Sequence, residues 1–249
     1  PQSLTHYSKM WPELCLIALD TETTGRYPVS SELCEFAAVK YKNGEFVEEY
    51  QTLLRPQKPM GSEVIRIHGI TNEMVEGAPP IDQKINEIRE FIQEGIVVAH
   101  HAPFDLGFLA LEFEKAGLSL PEKPVFCSSL LARKLIPQSP NHKLQTLIRH
   151  LNLNRGQAHR ALDDARASLE VVLHSLKAFG EDKRIQEIEQ AQGQKLRWAD
   201  YSLAALEDRD NFRRLIQAVQ KQTPVQMVYH GGSRPGHARE VFPTGMVRN

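Results

Sequence analysis

The sequence predicts an α/β protein in which helices pack against a mixed β-sheet. Its first part contains short apolar runs of strand length, two of which are joined by an Asn-Gly turn. From residue 96 onward, strand-like runs alternate with segments whose apolar residues recur at helical spacing. Such alternation is typical of parallel strands with helical crossovers, whereas the Asn-Gly hairpin adds antiparallel strands to the same sheet.

Each predicted strand is a short apolar run that is closed by turn-forming residues. The predicted strands are residues 14–25, 32–40, 45–54, 96–99 and 125–127. We expect the first three to be adjacent and antiparallel, because Asn43-Gly44 favours a tight hairpin between the second and the third. The helices follow from the 3.6-residue periodicity, and Gly117 and Gly180 are suited to end two of them. The predicted helices are residues 81–92, 103–117, 129–136, 143–151 and 159–179.

The chain is predicted to divide into a main domain, a linker and a small C-terminal module. The main domain spans residues 1–180, and the Gln-, Glu- and Lys-rich linker at 181–206 is expected to be helical. The module at 207–249 combines a helix with a β-hairpin. Since a single hairpin is marginally stable in water, the module is expected to pack on the main domain, on another chain or on further sequence.

Composition excludes several classes of protein. The formal net charge of −1 excludes a protein that binds polyanions through an overall positive charge. No apolar stretch reaches the roughly 18 residues of a membrane-spanning helix. The first residues lack an apolar signal core, and Cys15, Cys34 and Cys127 lack the spacing of a zinc site. We therefore expect reduced thiols in the core of a cytoplasmic protein.

Two carboxylates stand at the end of the first predicted strand. Side chains on a strand alternate between faces with period two, so Asp20 and Glu22 should point to one spot. Two adjacent negative charges are costly unless a cation lies between them. The alternative is a strand that simply runs into a polar turn, and the pair alone favours that alternative.

Two further acidic segments follow, each at the start of a predicted helix. Asp105 comes directly after the strand at 96–99, at the sheet edge where ligands of α/β proteins gather. His159 precedes Asp163 and Asp164 by about one helical turn, an arrangement that can present a base and a ligand to one cleft. The alternative for both segments is stabilisation of a helix N-terminus by acidic side chains.

Together these segments resemble the DnaQ-like (DEDDh) 3′–5′ exonuclease superfamily, in its proofreading branch. The resemblance covers about residues 13–180. It rests on the motifs Asp20-Thr21-Glu22-Thr23-Thr24-Gly25, Ile67-His68-Gly69-Ile70-Thr71, Val98-Ala99-His100-His101-Ala102-Pro103-Phe104-Asp105 and His159-Arg160-Ala161-Leu162-Asp163-Asp164-Ala165. It implies an RNase H-like fold, with a five-stranded mixed sheet flanked by helices, and a site for two divalent cations. Two departures concern His101, where the family commonly has Asn, and Cys127-Ser128, where many members have Asp-Thr.

The resemblance also implies a role for each matching residue. The predicted catalytic residues are the metal-binding carboxylates Asp20, Glu22, Asp105 and Asp164 and the general base His159. The cations would be Mg²⁺ or Mn²⁺, which prefer oxygen ligands. The residues implied to contact the 3′-terminal nucleotide are Thr23, His68, Gly69 and Ile70. For these residues, turn formation by Gly69 and core packing by Ile70 are equally open alternatives.

The function implied is removal of nucleoside 5′-monophosphates from single-stranded DNA 3′ ends. The alternatives are a 3′–5′ exoribonuclease or oligoribonuclease, a polymerase-associated proofreading subunit, and a non-catalytic binding subunit that has kept the fold. The tail faintly resembles the opening of a WYL-type SH3-like module. Basic residues outnumber acidic ones there, so one expectation is a face that holds a phosphate backbone. The equal alternative is a hairpin that dimerises or caps the exonuclease domain, and a DNA polymerase is a further possible partner of the module.

Overall fold

Five strands form one mixed sheet in the order β3-β2-β1-β4-β5. The computed structural model describes residues 7–153, 159–231 and 235–246. The strands are β1 Leu16–Thr23, β2 Leu33–Lys42, β3 Glu45–Leu53, β4 Ile96–Ala99 and β5 Val125–Cys127. β1, β2 and β3 pair antiparallel, whereas β4 and β5 continue the sheet in parallel from β1. The predicted α/β fold with a mixed five-stranded sheet is therefore confirmed.

The hairpin between β2 and β3 has the turn that the sequence predicts. Asn43 and Gly44 both have positive φ values, 53° and 85°. Positive φ at both central residues belongs to the type I′ turn, whose twist matches that of the flanking strands. β2 is buried along nearly its whole length, and β3 forms an exposed edge of the sheet.

The helices begin and end close to the predicted positions. They are α1 Ser62–His68, α2 Asn72–Val75, α3 Ile81–Gln93, α4 Pro103–Lys115, α5 Ser128–Leu135, α6 Leu144–His150, α7 Ala161–Phe179, α8 Ile185–Gln192, α9 Ala204–Glu207 and α10 Asp210–Lys221. The longest helix starts at Ala161 and not at the predicted His159, because the backbone of Arg160 is extended. Arg160 is therefore the N-cap residue and lies just outside the helix. None of the helices in the described ranges combines the length and the apolar character that crossing a bilayer requires.

Alternate residues of β1 face two separate hydrophobic layers. Ile17 and Leu19 belong to the layer formed with α3 and α4. Leu16 and Ala18 belong to the layer formed with α5, α7 and α8. Because the alternation continues along the strand, Asp20 and Glu22 fall on the α7 side and Thr21 on the α4 side.

The segment predicted as a linker is helical in part, but it packs into the main body. Trp198 is 1% exposed and joins the core layer of α3 and α4, in contact with the ring of Phe113. On the other side of the sheet, Ile185 and Ile188 of α8 are fully buried. Packing thus continues past the predicted boundary at residue 180, because a few apolar residues in this polar segment join the two core layers.

The C-terminal module consists of α10 and a two-stranded sheet, β6 Val225–Val228 and β7 Ala238–Val241. The strands pair antiparallel, as the sequence predicts. Beyond the hairpin the chain returns to the main body, where the Ser30 hydroxyl donates to the carbonyl of Thr244 at 3.1 Å. The module is therefore anchored next to the loop that follows β1.

Candidate active site

Three carboxylates meet at the end of β1. Asp20 and Glu22 project from the α7 side of the strand, and Asp164 lies in the first turn of α7. One oxygen atom from each residue lies within 4.8 Å of the others. Asp164 is 8% exposed, and the other two are half-buried. The alternation of β1 and the packing of α7 thus bring together three of the four predicted carboxylates.

The fourth predicted carboxylate, Asp105, approaches the same strand from the α4 side. It is 2% exposed, and its Oδ1 accepts hydrogen bonds from the amide of Thr21 at 3.0 Å and from the Thr21 hydroxyl at 2.8 Å. Thr21 lies between Asp20 and Glu22 on the opposite face of β1. It therefore fixes the Asp105 carboxylate relative to the acidic pair.

Glu35 anchors the start of α7 to the sheet. This fully buried residue of β2 lies directly opposite Glu22 in the β1–β2 register. Its carboxylate accepts hydrogen bonds from the Arg160 guanidinium at 2.8 Å and from the amide of Ala161 at 3.1 Å. Glu35 was not among the predicted site residues, although a single acid inside an apolar strand is a signal for a buried ion pair.

His159 is exposed, and its backbone connects it to the acidic cluster. Its amide donates to Asp164 Oδ2 at 3.0 Å. Its φ is 60°, in the left-handed region, and His101 in front of α4 has the same conformation with φ 56°. The start of each carboxylate-bearing helix is thus preceded by a histidine in a conformation that most residue types avoid.

The crowded acids have raised pKa values. Burial, followed by repulsion from Asp164 and Glu35, raises the pKa of Glu22 to about 8. Burial raises the pKa of Asp105 to about 7, against the hydrogen bonds from Thr21. Burial and the neighbouring Asp105 and Glu22 raise the pKa of Asp20 well above its ordinary value. Protonation or a bound cation is needed to relieve this repulsion.

The donor set fits a divalent cation. All of the clustered ligand atoms are carboxylate oxygens, which hard cations prefer. The pKa of Asp164 is also raised by burial, so all four acids disfavour the charged state in the absence of a counter-charge. The residues present therefore match the requirements of a divalent-cation site.

The residues predicted to contact the terminal nucleotide are mostly buried. The Thr23 hydroxyl donates to the carbonyl of Gly25 at 2.7 Å and closes the turn after β1. His68 is 3% exposed, and its Nδ1 accepts the amide hydrogen of Ile70 at 3.0 Å. Gly69 ends α1 with φ 73°, and Ile70 is fully buried. Gly69 thus forms a turn and Ile70 packs in the core, which are the two alternatives that the sequence left open. Nucleotide contact by these residues stays a prediction.

Known proteins are similar to this chain over nearly the same residues that carry the sequence motifs. The family model RNase_T, described as Exonuclease, matches residues 17–172. DNA polymerase III PolC-type of Halalkalibacterium halodurans is 39% identical over 152 residues, which is 61% of this chain and 11% of that protein. The Bacillus subtilis protein of the same description is 35% identical over 174 residues, 70% of this chain and 12% of that protein. The chain thus spans about a tenth of the length of these curated relatives.

Solved structures share the fold. Exonuclease X in complex with 5′ overhanging duplex DNA is 23% identical with a TM-score of 0.54, over 72% of this chain and 99% of that one. The nuclease domain of 3′hExo bound to rAMP is 18% identical with a TM-score of 0.60, over 71% and 98%. E. coli Exonuclease I in complex with a dA16 oligonucleotide is 16% identical with a TM-score of 0.58, over 86% and 48%.

The family match covers nearly all of the sheet, α1 to α6 and most of α7, including every motif on which the DnaQ-like resemblance rests. Because residues 17–172 are well over half of the 249 residues, the chain belongs to the RNase_T exonuclease family, and its DnaQ-like (DEDDh) character is confirmed.

Proposed function

We propose that this chain is a two-metal-dependent 3′–5′ exonuclease that releases nucleoside 5′-monophosphates from single-stranded DNA. The observation that carries the proposal is the convergence of Asp20, Glu22 and Asp164 within 4.8 Å at the end of β1. Asp105 is held beside them by Thr21. Four acids with raised pKa values are costly to keep charged together in a core, whereas a phosphodiester hydrolase needs them to hold cations.

In this proposal Asp20, Glu22, Asp105 and Asp164 hold two Mg²⁺ or Mn²⁺ ions. When bound, such ions activate a water molecule and stabilise the leaving 3′-oxygen of an in-line displacement. His159 takes the proton of the attacking water, because imidazole exchanges protons near neutral pH. The connection between its amide and Asp164 Oδ2 keeps this base next to the cluster.

DNA is the proposed substrate because the curated relatives are DNA polymerases of the PolC type. A role in proofreading next to a polymerase is the first alternative, and the same relatives support it. A 3′–5′ exoribonuclease is the second alternative, and the rAMP-bound 3′hExo domain supports that one. The three free cysteines agree with a reducing compartment, so we include a cytoplasmic location in the proposal.

The C-terminal module is proposed as a separate unit, at residues 207–249, that binds a polymerase or a second copy of the chain. Apolar side chains on its hairpin support this part of the proposal, since Val228 is 52% exposed and Phe242 is 66% exposed. Sedimentation of the full chain, alone and with a PolC-type polymerase, would test both partners.

The chain offers a matched pair of variants for the catalytic site. Asp164 belongs to the acidic cluster, whereas Asp163 forms an ion pair with Arg166 at 3.3 Å. Asp164→Asn should abolish Mg²⁺-dependent release of monophosphates from a labelled oligonucleotide, and Asp163→Asn should leave it nearly unchanged. His159→Asn should lower kcat by about 10²- to 10⁴-fold, the range for loss of a general base.

The cleavage assays also distinguish a DNA exonuclease from an exoribonuclease and from a non-catalytic binding subunit. Wild-type protein that releases nothing with Mg²⁺ or Mn²⁺ would refute the enzyme and favour a non-catalytic binding subunit. Side-by-side digestion of matched DNA and RNA oligomers, with free and with blocked 3′ ends, would identify the preferred substrate and the direction of cleavage.

A further inference from the structure

A cavity of about 630 Å³ is lined in part by the loop that follows β1 and by the first turn of α4, the two elements next to the acidic residues in sequence. One wall is the outer face of α4, which includes Phe104, the residue before Asp105. Arg26, from the loop that follows β1, forms an adjoining wall. The opposite wall includes Tyr201 and Phe212, which lie beyond residue 172 and so outside the family match. The cavity is therefore built jointly by the family fold and by this chain's own C-terminal segment.

The opposite wall is fixed in place by α4. Glu114 of α4 accepts hydrogen bonds from the amides of Leu203 and Ala204 at 2.9 and 3.1 Å, and from the Ser202 hydroxyl. The buried Trp198 ties the same segment to the core. The cavity thus exists before a ligand arrives, so that binding would require little ordering of the wall.

The cavity combines exposed cations with half-buried aromatic rings. Arg26, His101 and Arg133 line it and are exposed. Within the described ranges, neither arginine has an ion pair with an acidic side chain. Phe104, Tyr201 and Phe212 supply the rings, and Asp200 is the acid of the lining. Cations that track phosphates, next to rings that accept stacked bases, are the elements of a single-strand binding groove.

We propose that this cavity binds the nucleotides that lie upstream of the 3′-terminal residue of a single strand. The inference rests on the proposed function, and it adds a site that the family fold alone does not contain. Arg26 and His101 flank the path from the acidic cluster, Arg133 contacts a phosphate farther upstream, and Phe212 stacks on a base. Substrates long enough to reach the cavity should therefore bind more tightly than those that fill the acidic cluster alone.

The test measures binding of fluorescein-labelled oligothymidylates of about 3 and about 12 nucleotides to the full chain. Ca²⁺ replaces Mg²⁺ so that the carboxylates are neutralised and binding is read by anisotropy, separately from cleavage. Arg133→Glu should weaken binding of the long oligomer about 10-fold and that of the short one less than about 2-fold. It should also reduce the salt dependence for the long oligomer. Phe212→Ala should weaken binding of the long oligomer by about 5-fold or more.

Lys177→Glu is the matched control, since it makes the same charge change at an exposed residue that does not line the cavity, about 24 Å along α7 from Ala161. It should change neither affinity by more than about 2-fold. If Arg133→Glu and Phe212→Ala both bind the long oligomer as tightly as the wild type, the inference is overturned. The cavity would then be a candidate binding site for a protein instead. Equal losses for both lengths would also overturn it. Length-dependent binding without any cleavage would support the inference while refuting the proposed activity.

Discussion

Replacing Glu35 by Gln tests whether this buried residue holds the start of α7 on the sheet. Glu35 is fully buried, and it accepts hydrogen bonds from Arg160, from the amide of Ala161 and from Gln51. Although burial raises it, these hydrogen bonds hold the pKa of Glu35 below its ordinary value. The residue is therefore ionised at neutral pH, and Gln removes the charge with little change in shape.

The structure also sets the expected magnitude. Gln turns an NH₂ group toward donors and leaves the Arg160 guanidinium without its counter-charge. Removing one partner of a buried ion pair costs about 3–5 kcal/mol. Because the Arg160 side chain is 25% exposed and can regain water, we expect the lower end, about 3 kcal/mol.

Glu49→Gln is the matched control. Glu49 pairs with Arg166 at 2.6 Å and also links α7 to the sheet, but the two side chains are 40% and 42% exposed. An exposed pair of this kind contributes about 0–1 kcal/mol. Comparing the two variants therefore isolates the effect of burial, because each removes the acid of an Arg–Glu pair between α7 and the sheet.

The assay is urea unfolding of both variants at neutral pH. With a slope of about 3 kcal/mol per molar urea, Glu35→Gln should lower the midpoint by about 1 M and Glu49→Gln by less than about 0.3 M. Equal shifts for the two variants would show that Glu35 does not anchor α7. Since Asp164 lies in the first turn of α7, kcat should fall with Glu35→Gln and not with the control.

Three further predictions concern the surroundings of the site. Thr21→Val removes the hydroxyl that donates to Asp105 and should lower the free energy of unfolding by about 1–3 kcal/mol. Thr21→Ser keeps a hydroxyl and should lose much less. Equal losses for the two variants in urea unfolding would contradict this prediction. Glu22 and Asp105 keep protons in the folded state up to pKa values of about 8 and about 7, so their stabilising contribution is complete below the unfolded pKa and is lost as the pH rises. The Tm in EDTA should therefore fall from about pH 4.5 to about pH 8, and Mg²⁺ or Glu22→Gln should reduce the fall; a flat profile in EDTA would argue against the crowding. Gly95→Ala would place a Cβ atom 2.6 Å from the carbonyl oxygen of Cys15 and should lower the free energy of unfolding by about 1–3 kcal/mol. Gly77→Ala, with open space around the new Cβ atom, should lower it little. Comparable losses for the two variants on thermal unfolding would refute the packing argument.

The parts of the fold that depend on local periodicity could be predicted from sequence. The strand Ile96–Ala99 agrees with the prediction residue for residue, because an apolar run between turn signals has few alternatives. The convergence of Asp20 and Glu22 follows from period-two alternation in the same way. Placing Asp164 beside them needed the family motif, since nothing local shows which face of the sheet α7 covers.

The parts that depend on long-range packing could not be predicted. Glu35 is one acid in an apolar strand, and its partner Arg160 lies 125 residues away in sequence. Trp198 stands in a polar segment, and its burial depends on packing against Phe113, 85 residues earlier in the sequence. The cavity between α4 and the C-terminal segment depends on the return of that segment to α4, which no periodicity indicates.

The left-handed backbone of His101 and His159 determines how substitutions at these positions should be interpreted. Alanine in this conformation carries a cost of about 1–2 kcal/mol whatever the imidazole does, whereas Asn adopts it more readily. An alanine variant of His159 therefore changes the geometry of the chain in front of α7 together with the proposed base, and Asn separates the two effects. The same reasoning applies to His101 in front of α4, where Asn would keep the left-handed backbone and remove the imidazole.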